Sequence, residues 1–159
     1  MKKIVLICSM CLISIIVYSQ KIATPYVGLG QGFSFDKDNQ TYSTTTAEFG
    51  SWGIERATTY GLTFDYVKNI SQATQSELYV GFKPYIYFFN KNSVSLFTYF
   101  MPKFKIPQNG QEFFYLFEGS FGANWELSPK YMLQYGCSIQ TSGLNPYSPS
   151  VWVSINRLK

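Results

Sequence analysis

Tyr60-Gly61-Leu62-Thr63-Phe64-Asp65-Tyr66-Val67 is the stretch on which the fold turns. Its even positions, Tyr60, Leu62, Phe64 and Tyr66, are large and apolar or aromatic, while Gly61, Thr63 and Asp65 between them are small or polar. Side chains alternate across a strand, so the segment has one apolar face and one polar face. A soluble antiparallel sheet turns its apolar face to a core. A membrane barrel turns that face to lipid and the polar face to the lumen. The octet fits both, and the rest of the chain decides between them.

Working outward, the alternation recurs on either side. Residues 24–35 set Val27, Leu29, Phe33 and Phe35 against Gly28, Gly30 and Gly32. No helical period follows this Gly-x-Gly-x-Gly run, so it reads as strand glycines that leave room for bulky neighbours, not as a phosphate loop. Residues 42–54 are rich in Thr and carry Glu48, and 55–58 make a tight turn into the central octet. Residues 78–88 oppose Leu78, Val80, Phe82, Ile86 and Phe88 to Tyr79, Gly81, Lys83, Tyr85 and Tyr87, and Asn90-Lys91-Asn92 is a short turn. Residues 93–104 are the least regular, with Pro102 marking a strand end or bulge. Residues 113–126 oppose Phe117, Phe121 and Trp125 to Glu118, Ser120, Asn124 and Glu126. After a turn at 127–130, residues 131–140 and 150–159 complete eight strands.

The connections sort these strands. Asp36–Thr41, Lys68–Ser76, Lys105–Glu112 and Thr141–Pro149 read as longer polar loops, and the three connections between them as tight turns. Long loops on one side and short turns on the other are the pattern of a transmembrane barrel. Tilted strands of about 9–11 residues span a bilayer, and a closed meander has no exposed edge. The expected fold is therefore all-β: an eight-stranded antiparallel up-and-down transmembrane β-barrel.

Composition agrees. The 159 residues hold 19% aromatics and only 14% charged residues, against about a quarter charged in soluble domains. Lys2 and Lys3 followed by an apolar run to Val17 read as a secretory signal peptide, residues 1–19, cut after Ser19. Residues 20–159 form a single β-barrel domain. Of the 13 basic residues, Lys2 and Lys3 leave with that segment, so 11 face 9 acidic ones. A charge of about +2, scattered along the chain, gives no footprint for nucleic acid. Cys137 is the one cysteine beyond the signal segment, which excludes an intrachain disulfide. The chain has no histidine, which removes Ser-His-Asp and Cys-His catalysis and the commonest zinc ligand sets. No catalytic residue, cofactor or metal site is expected.

From about Thr24 to Lys159 the chain resembles the small eight-stranded outer-membrane barrels of Gram-negative bacteria, the OmpA/OmpX type, in architecture and without a family motif. Its last strand, Val151 to Lys159, alternates as theirs do but ends Leu-Lys where an aromatic is usual. The resemblance implies an outer-membrane location, lipid as the surrounding partner, and insertion by the barrel-assembly machinery.

Four polar-face charges, Glu48, Asp65, Lys83 and Glu118, then point into a lumen with room only for side chains. Buried charges must pair, so a structural network around Lys83 is expected there. Two carboxylates such as Asp65 and Glu118 have the chemistry for acid–base work, but nothing in the sequence fixes their separation or implies a cleft. Cys137 falls on the lipid face, and Tyr60, Tyr66, Trp125, Tyr131 and Tyr135 form interfacial girdles. Three functions follow: a non-enzymatic outer-membrane barrel acting structurally or through its outer loops; a soluble, lipocalin-like barrel for a small apolar ligand; and a membrane enzyme, disfavoured by the absence of histidine.

Overall fold

The computed structural model describes residues 24–52, 58–71, 76–91, 93–107, 115–142 and 148–158. The signal segment and the ends assigned above to Ile54 and Phe113 lie outside them. Eight strands follow in order: β1 (Thr24–Phe35), β2 (Thr41–Trp52), β3 (Thr58–Asn69), β4 (Ser76–Lys91), β5 (Val94–Lys105), β6 (Tyr115–Ser128), β7 (Tyr131–Ser142) and β8 (Ser148–Leu158). Each pairs antiparallel with its neighbours, and β8 returns to β1, closing the barrel.

The two faces sort as the alternation requires. In β3, Leu62, Phe64 and Tyr66 face outward, while Thr63 and Asp65 are buried in the lumen. In β4, Ile86 and Phe88 face outward, and Tyr79, Lys83 and Tyr85 are buried. The outer wall is apolar and the interior mostly polar, the reverse of a soluble barrel with an apolar cavity.

The glycines of β1 are occupied from across the β1–β8 seam. Gly28, Gly30 and Gly32 pair with Asn156, Ser154 and Trp152. A Cβ on Gly28 would run into the side-chain amide of Asn156.

Several strand boundaries differ from the sequence expectation. Three loop-end connections contract to 36–40, 70–75 and 143–147, because the strands run on through Thr41, Lys68, Ser76, Thr141 and Pro149, while the remaining one shifts to 106–114 as β5 takes in Lys105 and β6 begins at Tyr115. Polarity marks the edge of the apolar belt, whereas the backbone ladder continues past it. At the opposite end the connections are 53–57, 92–93 and 129–130, so 53–57 is no shorter than two of the loops. Asn90 and Lys91 belong to β4, paired with Ser95 and Val94, and are not a turn.

Pro102 neither ends β5 nor bulges it, since β5 keeps register with β6 through Pro102↔Phe117. Instead, β4–β5 pairing lapses between Gly81↔Lys103 and Tyr85↔Tyr99, where Pro84 and Pro102 both lack an N–H. The register slip falls at Tyr87/Phe89, which leaves Phe88 and Phe89 both outward.

Candidate functional site

The lumen is filled in tiers set by strand register. At the loop end, Lys105 bridges to Glu77 at 2.5 Å, and Glu77 also accepts from the Tyr79 hydroxyl at 2.6 Å. Beside them, the Tyr42 hydroxyl donates to Asp36 at 3.0 Å and Asn69 to Gln40 at 2.7 Å.

One tier down, Lys103 Nζ lies 2.6 Å from Asp65 and 2.6 Å from Glu118. Asp65 also accepts from Thr46 at 2.7 Å. Glu118 accepts from Tyr99 at 2.6 Å and Gln140 at 2.9 Å. Below this, Glu48 accepts from Lys83 at 3.1 Å, from Tyr85 at 2.6 Å and from Tyr26. The Lys83 ammonium also sits 4.5 Å from the Tyr99 ring and 4.6 Å from that of Trp152, within cation–π range.

Glu48, Asp65, Lys83 and Glu118, the four charges read from the sequence, thus all lie inside the barrel, though not as one cluster around Lys83. Glu48 pairs with Lys83, whereas Asp65 and Glu118 share Lys103. Lys103 escaped the sequence reading because β5 looked irregular. The odd positions Ser95, Phe97, Tyr99, Met101 and Lys103 carry the signal that would have found it, since all five are buried.

Two apolar clusters fill the lumen among and beyond the charges. Tyr85, Phe97, Tyr99 and Met101 form one cluster, with Trp152 packed against it. Tyr26, Trp52, Met132 and Leu158 form a second at the turn end. Leu158, which stands near the C-terminus where an aromatic is usual, is therefore a plug residue turned inward. A cavity of about 50 Å³ remains among Glu48, Asp65, Lys83, Lys103 and Trp152, room for a few water molecules.

Outside, the expected girdle residues Tyr66, Trp125, Tyr131 and Tyr135 are exposed. Tyr60 is half-buried and stacks on Phe82 at 6.3 Å between ring centroids. Cys137 is exposed on the lipid face.

No family model matches the chain, and no curated protein matches it. Solved structures do. Neisserial surface protein A is 9% identical with a TM-score of 0.66, over 85% of this chain and 96% of that one. The N-terminal β-barrel domain of Pseudomonas aeruginosa OprF is 7% identical at 0.56, over 85% and 99%. Yersinia pestis Ail, solved with the heparin analogue sucrose octasulfate, is 8% identical at 0.51, over 86% and 97%. With its closed eight-strand meander, apolar wall and charged interior, this chain has the fold of the small outer-membrane barrels.

Proposed function

We propose that the chain is a non-enzymatic outer-membrane barrel whose specific contacts are made by the four connections at its loop end. Residues 1–19 serve as its export signal, residues 20–159 form one domain, and the barrel-assembly machinery inserts it. The observation that carries this reading is the filled lumen. Ion pairs and an aromatic cluster interleave through its middle, and a second apolar cluster fills the turn end.

The groups best suited to acid–base chemistry, Asp65 and Glu118, are both committed to Lys103 and lie at 1% and 3% exposure. A substrate would have to displace a buried ammonium to reach them. A solute stream would have to displace both plugs. The loop end is the part of the scaffold left free for recognition. Its connections are short, so the contact they favour is flat: another protein, a surface or lipopolysaccharide. Ail, with the same fold, has been solved with a polyanionic ligand, which supports a surface-binding use of this architecture.

Two measurements test the proposal. In planar bilayers the purified protein is expected to give no stable stepwise conductance, and porin-sized steps would refute the plugged lumen. Replacing all four connections with minimal turns is expected to abolish surface attachment in cells. An unchanged phenotype would leave no binding role to defend.

A further inference from the structure

The apolar wall is interrupted along β2. β2 turns Thr41, Ser43, Thr45 and Ala47 outward, on the same face as Phe49. Its neighbours flank this strip with bulkier groups, Leu29 and Phe33 on β1 and Phe64 and Tyr66 on β3. The result is a shallow trough between two ridges.

The trough is also polar. Gln31 of β1 lies beside it, donating to the Ser43 hydroxyl at 2.6 Å and accepting from Thr45 at 3.0 Å. The second amide N–H of Gln31 and the hydroxyl proton of Ser43 find no acceptor among the described residues. Thr45 and Ser43 lie in register with Tyr66 and Lys68, at the outer edge of the apolar belt, where a neighbouring protein surface of matching polarity takes the place of water and headgroups.

One charge stands beside the trough and the opposite one at its loop end. Lys68 of β3, paired in register with Ser43, is exposed and makes no ion pair among the described residues. Asp38, in the 36–40 connection that caps β1 and β2, is exposed and its carboxylate likewise has no partner among them.

We propose that this face is a self-association surface whose occupant is a second copy of the chain, related by a two-fold axis along the membrane normal between β2 and β3. Under that symmetry the β3 ridge of each copy seats in the β2 trough of the other. The Tyr66 hydroxyl meets the unspent groups of Gln31 and Ser43, and Lys68 comes over Asp38 of the second copy. A face that carries both members of an ion pair, and both the ridge and the trough, is complementary to itself, as an isologous contact requires. Acyl chains match neither the charges nor the amide.

The test uses protein isolated from membranes, labelled with donor or acceptor dye at the exposed Cys137 on distant β7, and reconstituted into phosphatidylcholine bilayers. Energy transfer between copies is expected to persist when lipid is increased tenfold. Lys68→Glu is expected to weaken association about tenfold or more. The double variant Lys68→Glu with Asp38→Lys is expected to restore it. Thr45→Trp, which fills the trough, is expected to lower transfer without restoring charge. Heat-dependent gel mobility confirms that each variant is folded. Wild-type transfer that falls in proportion to dilution would overturn the proposal. So would association that Lys68→Glu leaves unchanged, or that the charge swap fails to recover.

Discussion

Replacing Lys103 by Met removes the cation on which two buried carboxylates depend. Lys103 itself is 4% exposed, and its ammonium lies 2.6 Å from both Asp65 and Glu118. Deleting one partner of a buried ion pair destabilises by about 3–5 kcal/mol, because the remaining charge is left in a medium that solvates it poorly. Here two carboxylates are stranded, yet Glu118 keeps donors from Tyr99 and Gln140, and Asp65 keeps one from Thr46. The expected loss is therefore near the lower bound, about 3 kcal/mol, or roughly two powers of ten in the unfolding equilibrium. Urea titration in phospholipid vesicles, followed by tryptophan fluorescence, measures it. Adding Asp65→Asn and Glu118→Gln to Lys103→Met removes the stranded charges and is expected to recover more than half of the loss. A loss under about 1 kcal/mol, or a triple variant no more stable than the single one, would refute the reasoning, because the pairs would then be no more than solvated surface bridges.

The lipid face yields a second expectation: Phe64→Arg should cost about 2–4 kcal/mol if the side chain sits near the bilayer midplane, measured by the same titration. A lipid-soluble reagent should label single cysteines at Leu62 and Leu133 in preference to Thr63 and Gln134; the opposite order would turn the barrel inside out. Gly28→Ala drives a methyl into the Asn156 amide and should destabilise by about 1–3 kcal/mol as overpacking does. Gly119→Ala meets no heavy atom within 4 Å and should stay within about 0.5 kcal/mol of the parent; equal losses at the two sites would show that backbone freedom, not space, is what glycine supplies.

How far the fold could be read from sequence follows from the range of each effect. Alternation is local, since one residue's neighbours fix which side it faces, so Leu62 and Phe64 could be set outward and Thr63 and Asp65 inward from eight letters alone. Partnership across the barrel is not local. Asp65 on β3 and Glu118 on β6 meet at Lys103 on β5 only after register and closure are set, and no spacing along the chain encodes that meeting. Strand ends were misread for a related reason, because side-chain polarity reports depth in the membrane while the ladder obeys backbone hydrogen bonding.

The aromatic plugs mark where a simple polar-inside rule gives out. Phe97 lies on the lumen side and is fully buried, although the alternation assigns that face to polar groups. The reason is volume. An eight-stranded lumen is narrow enough to be filled by side chains, and an unfilled gap would forfeit packing contacts. Large rings fit such a space only where the neighbouring strand leaves room, and inward glycines paired in register with Phe97, Trp152 and Tyr26 supply that room. A Cβ on Gly122 would stand 2.7 Å from the Phe97 ring, one on Gly136 2.9 Å from the Trp152 ring, and one on Gly50 2.6 Å from the Tyr26 ring. Glycines and aromatics on the inner faces are thus two halves of one packing solution. The packing is specified by which strand carries the ring and which carries the gap, and the charges lie where the rings' hydroxyls and the lysines satisfy them.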